Sequence, residues 1–148
     1  MIQEQKDLLL KDLSARLPYG VKFLRESWDY EWDQELSVIE VLEDIDKNGY
    51  INNRKVYNVE DIKPYLFPLS SMTEEQINEF ILISDTVLWL GNKRSTCILS
   101  LEQMDWCNKN HFDYRGLIPM GLAIDATGKN IYCKTKEELI QLVMEEKS

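Results

Sequence analysis

The sequence predicts an α+β domain: a small antiparallel, curved sheet with an N-terminal helix, followed by a mainly helical C-terminal half. Three observations carry this. Leu9, Leu10, Leu13 and Leu17 recur at helical spacing near the N-terminus. Residues 21–59 read as successive strands, with period-two alternation over Trp28 to Asp33 and Asn48-Gly49 as a strong hairpin signal. Two helix-start signatures, Thr73-Glu74-Glu75-Gln76 and Ser100-Leu101-Glu102-Gln103, then fall in the second half.

In chain order, Ile2 to Leu17 reads as a helix that carries Lys6, Asp7, Lys11 and Asp12 on its solvent side. Pro18 stops it and Tyr19-Gly20 turns the chain. Val21 to Glu26 reads as a strand. Trp28 to Asp33 alternates aromatic and acid with period two and reads as a further strand. Leu36 to Asp46 reads as another, and Lys55 to Val59 continues the sheet. The expected sheet resembles a partial barrel of SH3-like type.

Pro64 and Pro68 remove two backbone donors, so the spacing predicts a buried bend over 59–71 and no central strand through Lys63 to Pro68. That bend joins two lobes of a single domain, 1–67 and 68–148, which share one core. Beyond it, Glu74 to Ile83 is predicted helical with Ile77, Phe80 and Ile81 inward. Thr86–Leu90 and Thr96–Leu99 are read as a strand pair. A helix opened by Ser100 is expected to bury Leu101, Met104 and Cys107. Tyr114 to Met120 is read as a turn closed by Gly121. Leu122–Ile124 and Ile131–Cys133 are read as a hairpin, and Thr135 as the cap of a last helix with Leu139, Ile140 and Val143 inward.

With 148 residues and 44% hydrophobic content, the chain is long enough for one substantial core. The net charge of −9 is shared evenly, 9 bases against 14 acids before residue 68 and 8 against 12 after it. Such a surface argues against a nucleic-acid binder that tracks phosphates and against attraction to an anionic membrane. No apolar run approaches the roughly 20 residues that span a bilayer, and the N-terminus lacks a signal-peptide core, so the cytoplasm is expected. Three cysteines without CxxC spacing fit a reducing compartment. No cofactor motif is present: there is no GxSxG, P-loop, GxGxxG or HExxH.

Three constellations could carry chemistry. The first is Asp44 to Asn52, which resembles an EF-hand calcium loop with Asp44, Asp46 and Asn48 at the first three ligand positions and Gly49 at the sixth. Its twelfth position is Lys55, where a bidentate Glu belongs, and an Asn-Gly hairpin turn explains the same residues. The second is Cys107 and His111, four apart on a helix end, followed by Asp113: a nucleophile, base and orienting acid if they meet, with Asp113 serving equally well as a cap for the next turn. With Cys97 and Cys133 the same residues could bind zinc, although the ligands come singly. A packed thiol beside an imidazole is the plainer reading. The third is the stretch from Glu26 to Asp46, nine acids and no base, holding Trp28, Asp29, Tyr30, Glu31 and Trp32. It reads as a docking face for a basic, apolar protein partner, as a nucleic-acid mimic, or as a solvated strand whose aromatics belong to the core.

Three phrases, LSARLPYGVK at 13–22, VEDIKPYLFPLSSMTEE at 59–75 and NKNHFDYRGLIPMGLAIDA at 108–126, resemble a family of short proteins of gut-type Bacteroides genomes, found in phage-like or mobile regions. That family has no known activity, so the resemblance implies no catalytic residue. It implies a cytoplasmic accessory protein. The expected function is therefore non-enzymatic protein interaction or regulation, with a small Cys107/His111 enzyme and a weak calcium loop as the alternatives.

Overall fold

The computed structural model describes residues 2–29, 32–47, 49–52, 59–83, 99–133 and 136–147, excepting the side chains of 27–29, 34–36, 136 and 145–147. Helix α1 (Gln3–Arg16) leads through a 3-10 turn at Leu17–Tyr19 into strands β1 (Lys22–Asp29) and β2 (Gln34–Val41). A second 3-10 turn, Val59–Asp61, enters β3 (Ile62–Pro68). Helices α2 (Glu74–Leu82) and α3 (Leu101–Lys109), short strands β4 (Phe112–Asp113) and β5 (Ile124–Asp125), and helix α4 (Lys136–Lys147) complete the chain. The α+β class and the N-terminal helix are as expected. The sheet is mixed rather than wholly antiparallel: β1 pairs antiparallel with β2 and β3, while β4 and β5 join β3 in parallel. It stays open, running β2-β1-β3-β4 with β5 also on β3.

The expected bend at Lys63 to Pro68 is instead strand β3, and hydrogen-bond parity explains how two prolines fit. The Leu42 N–H donates to Val21 O, so Leu42 and Val21 form a bonded pair and so do alternate pairs along the ladder. Phe23, two residues on, therefore turns its backbone groups toward β2. Pro64 lies opposite Phe23 on the other flank of β1, where no donor is called for. The Phe67 N–H donates to His111 O, so its neighbour Pro68 points its missing donor away from β4.

Both faces of this sheet are covered. Leu9 and Leu13 of α1 pack with Phe23, Ile62 and Leu66 on one face. Leu139 and Val143 of α4 pack with Ile39 and Tyr65 on the other. A third cluster, Phe80, Trp106, Cys107 and Phe112, joins α2 and α3 to β4. Residues from both halves mix in the first cluster, where Leu9 and Leu13 meet Leu117 and Leu122.

Several elements differ from expectation. The strand expected over Trp28 to Asp33 ends at Asp29, and Trp32 and Asp33 form a turn in which Asp33 takes a left-handed φ of 49°. The next strand ends at Val41 rather than Asp46, because Ile45 leaves the sheet to bridge antiparallel with Ile51. Both capping boxes form as predicted, with Thr73 and Ser100 accepting from the N–H of Gln76 and Gln103. The buried side of α3 is rotated, however: Gln103, Trp106 and Cys107 face inward and Leu101 is 79% exposed. Ile77 and Ile140, expected inward, are exposed too. The expected hairpin at 122–133 is replaced by β5 and a 3-10 turn at Ile131–Cys133, because β5 finds its partner in β3. The strand pair expected over 86–99 lies outside the described residues apart from Leu99.

Candidate functional site

The corner where α3 ends and β4 begins gathers most of the chain's unusual chemistry. Its centre is Arg16, a residue fully buried on α1. A buried guanidinium needs its donors satisfied. Arg16 Nε donates to Asp12 Oδ2 at 2.7 Å and Nη2 to Asp12 Oδ1 at 3.2 Å. Nη2 also reaches Phe112 O at 2.6 Å, and Nη1 reaches Cys107 O at 3.4 Å in the last turn of α3, where carbonyls lack helical partners. Asp12, which the sequence places on the solvent side, is also fully buried, and accepts a further bond from Arg115 Nε at 3.1 Å. Arg115 lies 4.8 Å from the Tyr114 ring centroid and donates to its hydroxyl.

Cys107, His111 and Asp113 all sit at this corner, yet they are not wired as a nucleophile set. The Asp113 carboxylate is committed to the backbone: Oδ1 accepts from Leu117 N and Oδ2 from Ile118 N, both at 2.9 Å. This caps the turn of residues 114–121. His111 Nδ1 is buried and has no hydrogen-bond partner among the described residues, so no acid orients the ring. Cys107 is fully enclosed, and burial pushes its thiol up to about 12 despite the nearby Arg16 charge. Such a thiol is protonated at neutral pH and is a poor nucleophile. A depression of about 200 Å³ between Phe67, Ser71, Gln76, Asn110, Phe112 and Thr127 is lined by none of the three.

What His111 does instead is structural. It sits one residue past the helix cap with φ 65°, the position glycine usually takes, and histidine is among the residues that tolerate it. Its ring stacks on Tyr132 at 3.7 Å between centroids and 5° between planes. The Tyr132 hydroxyl donates to Tyr65 O at 2.6 Å and accepts from Lys22 N at 3.1 Å. Lys22 and Tyr65 would be the next bonded pair of the β1–β3 ladder after Leu24 and Lys63. The phenol thus stands inside the ladder, bridging the two strands as they separate.

Burial, helped by the positive charges of Arg16 and Lys22, lowers the His111 imidazole to about 4 from its ordinary 6.5. The folded chain therefore favours the neutral ring, and the unfolded chain takes up the proton first. This contribution to stability is complete above about pH 6.5 and is lost as pH falls toward 4. Urea midpoints measured from pH 7 to 4.5 are expected to fall more steeply for the wild type than for His111→Asn, which keeps a residue tolerant of positive φ and does not titrate. Equal slopes would remove His111 from the account.

The calcium-like loop is organised by its own side chains. Asp46 Oδ1 accepts from Tyr50 N, and Asn52 Oδ1 accepts from Glu43 N and Asp44 N while its Nδ2 donates to Val41 O. Gly49 takes φ 82°, as the turn requires. Asn48 and Lys55 lie outside the described residues. No group of three His, Cys, Asp or Glu among the described residues is placed to hold a metal ion. Of the cysteines read as zinc candidates, Cys133 is exposed on its 3-10 turn, Cys107 is in the core, and Cys97 lies outside the described residues.

The acidic aromatic stretch becomes the β1–β2 hairpin. Trp28 and Asp29 close β1, Tyr30 and Glu31 lie outside the described residues, and Trp32 sits in the connecting turn with 70% of its surface exposed. Arg25 engages Glu40 through Nε at 3.1 Å across the two strands. No helix among the described residues is long and apolar enough to cross a membrane. Compared with known protein families, curated proteins and solved structures, the chain matches none of them.

Proposed function

We propose that this chain is a non-enzymatic protein-interaction module, an accessory protein of mobile-element type, whose recognition element is the acidic β1–β2 hairpin. The observation that carries the reading is Trp32. A tryptophan 70% exposed on a turn costs solubility unless a partner covers it, and exposed aromatics are the residue class that anchors interfaces. Around it the sequence places Asp29, Glu31, Asp33 and Glu35 with no base, so the partner that fits is basic. The rival use of Cys107 and His111 loses its support in the buried thiol and the committed Asp113.

Trp32→Ser is expected to leave the folding free energy within about 0.5 kcal/mol, as for a surface position. The triple change of Trp28, Tyr30 and Trp32 to Ser is expected to release partners captured by the wild-type chain. Unchanged capture by that triple variant, or a collapse in stability from Trp32→Ser alone, would refute this face.

A further inference from the structure

We infer that the outer edge of β2 receives an extended, Lys/Arg-bearing segment of the partner as an added strand. The inference rests on the reading of the acidic hairpin as the recognition element. Since Leu42 is bonded to Val21, the even-numbered residues of β2 turn their backbone groups to β1, and Glu35, Ser37, Ile39 and Val41 turn theirs outward. The Asn52 amide confirms the direction by donating to Val41 O at 2.9 Å, which closes the last outward carbonyl. No described strand pairs with the remaining edge.

That edge is long and regular. Eight consecutive pairs bind β2 to β1 without a bulge, and Gln34–Val41 contains no proline, lysine or arginine to blunt it. Edges of this kind take up extended chains unless something protects them. Charge selects the occupant. A second copy pairing here would set one acidic strand against another, and like charges across a ladder are destabilising. A basic strand instead enters the run from Glu26 to Asp46, which carries nine acids and no base. On one face of the sheet, α4 packs Leu139 and Val143 toward Ile39 while Ile140 and Met144 stay 52% and 61% exposed one turn apart, apolar surface within the same helix.

The probe is an eight-residue peptide alternating lysine and valine, with one alternating glutamate and valine as control. Amide exchange is followed on the whole chain. With the lysine peptide, the outward amides of Ser37 and Ile39 are expected to slow by roughly tenfold, and the inward amides of Val38 and Glu40 to stay as they were. Ser37→Pro removes an outward donor where an edge tolerates proline, and is expected to weaken the peptide by about tenfold. If it fails to fold, the wild-type exchange pattern decides alone. Outward amides already protected in the free chain, equal binding of the glutamate peptide, or binding that survives Ser37→Pro would overturn the edge. If Trp32→Ser abolishes binding while Ser37→Pro does not, the hairpin stands as the recognition element and only the added strand falls. Should the lysine peptide leave every amide unchanged while the wild-type chain still captures partners through Trp28, Tyr30 and Trp32, the same conclusion holds.

Discussion

Asp12→Ala is expected to unfold in urea with about 3–5 kcal/mol less free energy than the wild type. The carboxylate accepts three bonds from two arginines and is fully buried. Removing it leaves Arg16 charged, enclosed and paired only with carbonyls. Desolvating a guanidinium without an anion costs several kcal/mol, and the site lies too deep for solvent to repair it. Asp12→Leu combined with Arg16→Met should recover part of the loss by removing both charges. Recovery stays partial because the carbonyls of Cys107 and Phe112 then lose their donor. A loss of less than about 1.5 kcal/mol for Asp12→Ala would mean that the corner relaxes open and that the buried pair is not what ties α1 to α3.

The second large effect is expected from Tyr132→Phe, about 1–3 kcal/mol for two hydrogen bonds. The ring would keep its stack on His111 and its contact with Phe67, so packing is nearly constant. Only the hydroxyl bridge between Lys22 N and Tyr65 O disappears. Exchange of the Lys22 amide should speed up in step with the loss of stability. A variant as stable as the wild type would show that the strands close on each other without the phenol.

Much of the architecture was legible because it rests on local chemistry. The capping boxes at Thr73 and Ser100 placed two helices to within a residue, since side-chain oxygens at those spacings satisfy the first free N–H groups. Leu9 and Leu13 marked the inner face of α1. What stayed hidden was polar burial. Leu9, Asp12, Leu13 and Arg16 form an i, i+3, i+4, i+7 stripe, yet Asp12 reads as a solvent residue because Arg115, which donates to it, and the Phe112 carbonyl, which accepts from Arg16, lie about a hundred residues away. Gln103 misleads in the same way: its amide reaches Phe80 O and Ser100 N, which makes it comfortable inside and turns Leu101 out. The prolines of β3 read as strand breakers through the donors they lack, whereas their fit depends on which edge each residue faces. In the candidate site, the spacing of Cys107 and His111 is readable, and so is Asp113 as a cap, because the two N–H groups that donate to it lie only four and five residues on, at Leu117 and Ile118; the enclosure of Cys107 is the tertiary fact.

Arg16 also sets an order of events during synthesis. The first forty residues can form α1 and the β1–β2 hairpin as they emerge, but the guanidinium finds its two carbonyls at residues 107 and 112. Until those have left the ribosome, the amphipathic side of α1 presents a charge that has nowhere dry to go. The polar stripe of α1 therefore reaches its native burial only once residues 107–115 are there to receive it.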